Sequence, residues 1–232
     1  MPVIKAQQIT RTYHKTKIPV HALNGVDLEI EEGEFTAIVG PSGSGKSTLL
    51  NIIGGLDRPS SGSIEVSGMD ITRLKDSELI DFRLRHIGFV FQSYNLIPVL
   101  TARENIEFIM LLRKVPRQER RVRVTELLQQ VGLEDRGDNR PSELSGGQQQ
   151  RVAVARALAA RPNFILADEP TANLDSASSA NLLDMMATMN REQKATFVFS
   201  THDYRVIERA RRVITLEDGK IVSDEKAEVA LS

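Results

Sequence analysis

The sequence has 232 residues, the length of one globular domain or of one domain with a sizeable insertion. Hydrophobic residues make up 41% and charged residues 26%, enough for a real core, and a formal net charge of −1 gives no general attraction to nucleic acid. The absence of cysteine excludes disulfides and thiolate metal sites, and no apolar run approaches the roughly 20 residues of a spanning helix.

The opening residues, Met1 to Lys5, lack the basic-then-apolar layout of a signal peptide, so a cytosolic chain is expected. Short strand-like runs then alternate with helical ones, which predicts an α/β fold with a largely parallel sheet. Strands are expected at 3–13, 26–30, 34–39 and 64–67, with a helix over 46–56 between the last two. Helices follow at 101–113 and 117–131, broken by Pro116 and Gly132. The Arg-rich stretch 117–123 is expected to be a solvated helix face. A further helix, 146–160, stops before Pro162, and the apolar run 164–167 has the character of a strand buried on both faces. A helix at 176–190, a strand at 196–200 and a hairpin of 213–216 with 221–223 around Asp218-Gly219 complete the pattern.

Three clusters carry chemistry. Gly40, Pro41, Ser42, Gly43, Ser44, Gly45, Lys46 and Ser47 fit G-x-x-x-x-G-K-[ST] between a strand and a helix, with Thr48 next in the helix. Glycines let successive N–H groups turn toward phosphate oxygens, Lys46 supplies a positive charge for them, and the Ser47 hydroxyl suits Mg²⁺. Asp168 and Glu169 end the buried strand at the edge where open α/β sheets bind ligands. Asp168 is placed to hold Mg²⁺ beside Ser47, and Glu169 to orient or deprotonate an attacking water. Ser145, Gly146 and Gly147 open a helix and form a second anion site of exposed N–H groups, although the same residues also make an ordinary helix cap.

Leu144 to Gln148 resembles the signature motif of ABC ATPases, and the following residues resemble that family's signature helix. The likeness runs through essentially the whole chain. It implies a RecA-like P-loop core with a mostly parallel sheet and an N-terminal antiparallel β subdomain, formed by 1–92 and 161–232. It also implies an inserted helical subdomain, 93–160, within a single domain of 1–232. Gln92 resembles the glutamine that touches Mg²⁺ and water, Asp175 belongs to a stretch resembling the D-loop, and His202 resembles the switch histidine. Tyr13 resembles the aromatic that stacks on adenine, a position where a strand tyrosine also serves ordinary packing. Asp57 and Tyr94 also sit in family-like stretches.

The resemblance implies ATP hydrolysis with Mg²⁺ in a head-to-tail dimer that sandwiches two nucleotides. It also implies a separate membrane permease holding the cassette on the cytoplasmic face, with Leu96, Ile97 and Leu100 as contact candidates and no nucleic-acid partner. Residues 54–62, 89–105 and 139–147 are most similar to cassettes of the lipoprotein-releasing (LolD), macrolide-exporter (MacB) and cell-division (FtsE) type. Export or extraction of lipoprotein, peptide, drug or lipid is the implied work. Ala172 stands where that group often has glycine, and alanine would be strained there if the backbone needed a positive φ. The rival is a DNA-associated or other soluble ATPase of the same superfamily. A DNA-repair or chromosome-structure member would require a long coiled coil between the phosphate loop and the signature, for which the sequence has no sustained heptads, and a translation-factor type would carry two cassettes.

Overall fold

A computed structural model describes residues 2–14 and 18–226; residue 1, residues 15–17 and residues 227–232, all inside the expected domain range, lie outside the described residues. Two sheets form among the described residues. The antiparallel one has the order β2-β1-β4-β5, built from β1 (Pro2–Tyr13), β2 (Val20–Glu31), β4 (Ser61–Val66) and β5 (Met69–Asp70). The other has the order β10-β9-β3-β8-β7-β6. Its members are β3 (Phe35–Val39), β6 (Ile87–Val90), β7 (Phe164–Asp168), β8 (Phe197–Ser200), β9 (Arg212–Glu217) and β10 (Lys220–Lys226). Every pairing from β9 through β6 is parallel, and only β10 runs antiparallel to its neighbour.

The central strands read as continuous apolar runs because both of their faces are covered. Alternation along each strand divides them between two cores. Phe35, Ile165, Ala167, Phe197 and Phe199 point into one core, shared with α3 (Ala102–Leu112), α4 (Arg117–Gln130), α5 (Gly146–Ala159) and α6 (Ser176–Gln193). Ile38, Phe164, Leu166 and Val198 point into the other, shared with α1 (Lys46–Ile53), α2 (Asp76–His86) and the antiparallel sheet. The parallel sheet is therefore clamped from both sides, and its strand ends are held at fixed heights.

The expected elements are present with local differences. Helix α1 stops at Ile53, where Gly54 N–H reaches Leu50 O, and Gly55, turning at φ +63°, donates its N–H to Ile52 O. Strand β2 begins at Val20, where pairing with β1 extends a stretch that lacks an apolar alternation of its own. Helix α2 and the short α7 (Tyr204–Arg209) were not anticipated, since α2 buries only Leu79 and Phe82 and α7 only Val206. The arginine run on α4 is not simply solvated: Arg120 pairs with Glu107, and Arg123 donates to Leu158 O. Ala172 has no positive φ, so alanine fits there without strain; the left-handed residue lies three positions earlier, at Glu169 (φ +47°). Of the apolar residues after Gln92, Leu96 packs into the helical core, whereas Val99 is 70% exposed.

Phe199 lies at the centre of the helical core, fully buried and 4.6 Å from the Phe35 ring centroid. Its truncation leaves a cavity that the clamped sheet cannot collapse. Phe199→Ala is expected to lower the unfolding free energy by about 3–5 kcal/mol, measured by urea denaturation.

Candidate functional site

The phosphate loop is wedged between two strands, which fixes its path. A Cβ on Gly40 (φ +146°) would sit 2.0 Å from Leu216 O, and one on Gly45 (φ +105°) 2.3 Å from Ala22 O. Only glycine gives both the backbone angle and the clearance. The hairpin turn between β9 and β10 backs the loop, Gly219 N donating to Ser44 O at 3.0 Å. Lys46, largely buried, donates from Nζ to Gly40 O at 2.9 Å and Pro41 O at 3.0 Å. The ammonium is thus parked against the loop that it closes.

Three elements converge on Asp168 at the end of β7. Its Oδ1 accepts from Ser47 Oγ of α1 at 2.9 Å and from Ser200 Oγ of β8 at 2.6 Å. The adjacent Glu169 donates its N–H to Ser200 O at 2.9 Å. Its Oε1 lies 2.8 Å from His202 Nδ1 and its Oε2 accepts from Thr201 Oγ1 at 3.4 Å. The Glu169 side chain is 15% exposed and that of His202 is 74% exposed, so the carboxylate is sheltered and the imidazole faces outward.

A cavity of about 400 Å³ is lined by Tyr13, the loop residues Ser42, Gly43, Lys46 and Ser47, and Glu169, with Thr48 also on its wall. Tyr13 is held from outside that cavity. Its hydroxyl donates to Asp57 Oδ2 at 2.8 Å, and the Arg11 guanidinium sits 4.5 Å over its ring while pairing with Asp57 Oδ1 at 2.8 Å. Asp57 thus has a definite task, and Arg11 is a member of the cluster that the sequence did not point out. A larger cavity of about 960 Å³ opens elsewhere, lined by residues such as Lys5, Glu65 and Arg161, and none of the motif residues reaches it.

Ser145, Gly146, Gly147 and Gln148 do not line the phosphate-loop cavity. They open α5 as a capping box, Ser145 Oγ accepting from Gln148 N at 3.3 Å and Gln148 Oε1 from Ser145 N at 2.9 Å. Around them gather Tyr94 and the residues near Asp175: a Cβ on Gly146 would lie 2.8 Å from Tyr94 Oη, and one on Gly147 3.0 Å from Ser178 Oγ. Burial pushes the Tyr94 phenol up from its usual range. Gln92 is exposed, and its carbonyl accepts from Asn173 Nδ2 at 2.9 Å. Asp175 caps α6, accepting from Ser178 Oγ at 2.7 Å and Ser178 N at 2.9 Å, and these hydrogen bonds lower its carboxyl below the usual range. The sequence did not single out Ser200, Thr201 or Asn173, because their hydroxyl and amide roles depend on which strand end faces which.

Residues 23–172 match the ABC transporter family. The ABC transporter ATP-binding protein YvrO of Bacillus subtilis is 47% identical over 228 residues, covering 98% of this chain and 99% of that protein. The macrolide export ATP-binding/permease protein MacB of Brucella melitensis is 48% identical over 223 residues, 96% of this chain but 34% of that protein. The chain thus spans about a third of that relative. Among solved structures, the dimeric post-hydrolysis state of the ATP-binding cassette MJ0796 bound to ADP and Pi superposes with a TM-score of 0.87 at 45% identity, covering 96% of this chain and 98% of that one. MJ0796 is from Methanocaldococcus jannaschii. This chain belongs to the ABC transporter family, as an ATP-binding cassette that hydrolyses ATP.

Asp203 ties the histidine segment to the stretch after Glu169, accepting from Thr171 Oγ1 at 2.6 Å. Its carboxyl is lowered to about 2, first by the Arg205 guanidinium and then by the Thr171 hydroxyl, against an unfolded value of about 3.9. A lowered folded value stabilises the protein above the unfolded value, and that contribution is lost as pH falls through the folded one. The stability advantage of the parent over Asp203→Asn is therefore expected to be constant from pH 5 to 8. It should shrink between about pH 4 and 2, as read from denaturation midpoints at each pH.

Proposed function

We propose that the chain powers an exporter-type membrane permease of the macrolide-exporter kind through an ATP-driven, head-to-tail dimer. The observation that carries this reading is the separation of two anion sites. The phosphate loop shares a cavity with Glu169, whereas Ser145 to Gly147 present helix N–H groups outside it. One nucleotide has one γ-phosphate, so the second site is best used on a nucleotide held by another copy. The dimeric MJ0796 cassette, with its ADP and Pi, supports this arrangement.

The loop N–H groups and Lys46 bind the β- and γ-phosphates, the ammonium exchanging its two carbonyl acceptors for phosphate oxygens. Ser44 Oγ, buried without a partner, is a donor that phosphate oxygens would satisfy. Tyr13 offers its ring to adenine, stiffened by Arg11 and Asp57. Ser47 and Asp168 present oxygen donors 2.9 Å apart and Gln92 adds an amide oxygen, a hard set suited to Mg²⁺. Held by Ser47, Asp168 and Gln92, a Mg²⁺ ion would supply charge neutralisation for the transferring phosphoryl group. Glu169 accepts a proton from the attacking water as oxygen bonds to the γ-phosphorus and the bond to ADP breaks, while His202 and Thr201 orient its two oxygens. His202 is exposed enough to meet the γ-phosphate as well. Asp175 caps α6 through Ser178, which lies against Gly147, and in this reading it would face the second copy beside the signature.

In this reading 1–92 and 161–232 form the core with its β subdomain, 93–160 the helical part, and the permease docks near Val99. No helix among the described residues is long and apolar enough to cross a membrane, so attachment to the cytoplasmic face runs through that partner. The cargo belongs to the permease, in the range of lipoprotein, peptide, drug or lipid.

Glu169→Gln is expected to bind ATP, lower kcat about a hundredfold or more, and accumulate as an ATP-bound dimer in size-exclusion chromatography. Unchanged steady-state hydrolysis would remove Glu169 from this role. Ser145→Arg should abolish hydrolysis while monomer affinity for ATP, measured by calorimetry, stays within about twofold. Loss of monomer binding would place the signature in the same nucleotide site as the phosphate loop.

A further inference from the structure

Five residues beyond Ser145, the signature helix carries a glutamine on its buried side. Gln150 is fully buried on α5. Its Nε2 donates to Pro170 O at 2.8 Å and lies 3.5 Å from Phe91 O. Pro170 directly follows Glu169, and Phe91 directly precedes Gln92. The nitrogen of one amide is therefore set against the carbonyls next to Glu169, proposed to handle the attacking water, and next to Gln92, proposed to help hold Mg²⁺.

The Oε1 of the same amide is buried with no hydrogen-bond partner. An orphaned buried acceptor costs stability, yet an amide stands here, and its nitrogen is what holds two backbone carbonyls. No other side chain of α5 reaches both segments. Arg156 grips only the loop after Gln92, through Tyr94 O at 2.9 Å and Asn95 O.

We propose that Gln150 is a positioning residue that couples occupancy of the signature site to the alignment of Glu169 and Gln92; this rests on the roles proposed above for those two residues. Gln150 lies about 7.5 Å along the helix axis from Ser145, at about 1.5 Å per residue, so α5 links them as a rigid rod. A γ-phosphate bound at Ser145 to Gly147 fixes the rod. Gln150 then fixes the carbonyl beside Glu169, whose left-handed backbone (φ +47°) is a conformation that a glutamate holds only under external constraint. Asn173 Nδ2 on Gln92 O closes the ring on the other side.

The test compares Gln150→Met and Gln150→Glu with the parent and with Glu169→Gln, all as full-length chains. Gln150→Met keeps the volume and removes the donors; Gln150→Glu sets an acceptor against two carbonyls. For both, kcat is expected to fall at least tenfold while the KM for ATP stays within twofold. Gln150→Met should melt within a few degrees of the parent, and combined with Glu169→Gln it should still form the ATP-bound dimer. A kcat within twofold of the parent in Gln150→Met overturns the inference. So does a joint loss of melting temperature, ATP affinity and turnover in that variant, which would mark a merely structural residue. Full hydrolysis by Glu169→Gln would instead sink the role of Glu169. An inactive Glu169→Gln beside a fully active Gln150→Met would sink only the role of Gln150.

Discussion

One carboxylate oxygen sets the geometry of the site. Asp168 Oδ1 accepts from Ser47 at the start of α1 and from Ser200 at the end of β8, so three separate segments are referred to a single atom. Its position is fixed in turn by the parallel pairing of β7 with β8, which places Asp168 opposite Ser200. That register depends on the apolar strands being buried on both faces, because a one-residue slip would exchange the two cores. The phosphate loop, the acidic pair and the histidine segment therefore owe their alignment to the packing of Phe and Leu residues far from any phosphate.

Glu169 shows how rigidity is converted into chemistry. A β-strand leaves the residue after Asp168 free to turn away, yet the chain turns here through a left-handed glutamate. That conformation costs on the order of 1 kcal/mol and is held by the N–H bond to Ser200 O, by His202 and Thr201 on the carboxylate, and by Gln150 on the next carbonyl. One of the left-handed non-glycine residues thus falls at the residue proposed to handle the water, where a precise orientation is worth most. Asp203 extends the same bracing to Thr171, which steadies the segment leading to Asp175.

The signature end of α5 is built on different terms. Ser145 and Gln148 satisfy each other as a capping box, leaving neighbouring N–H groups at the helix start for an external anion. Tyr94 and Ser178 crowd this end, so that a Cβ on Gly146 or Gly147 would press against one or the other. The surface that would meet a second copy is thus contiguous with the loops that begin at Gln92 and Asn173. Contact there would reach Glu169 and Gln92, the residues proposed for hydrolysis, through short covalent and hydrogen-bonded paths.

The sequence by itself determined the class of fold and the chemical inventory. The spacing of Gly40 to Ser47, the apolar run ending in Asp168 and Glu169, and the signature residues are local patterns whose physics operates over a single turn or strand. Element boundaries followed where glycine or proline marked them; α2 and α7 were missed because their burial is slight, and β6, though buried, because its run is only four residues long. Tertiary structure alone decided which groups meet. The hydroxyl of Ser200 on Asp168, the Arg11 and Asp57 support of Tyr13, and the reach of Gln150 to two distant carbonyls join residues 32, 44 and 59 positions apart. Such contacts arise from strand order and helix packing, which no local run of residues encodes. For the same reason the expected solvated arginine face of α4 turned partly inward, toward the carbonyl end of α5. A helix surface is solvent-exposed or buried only relative to what packs against it.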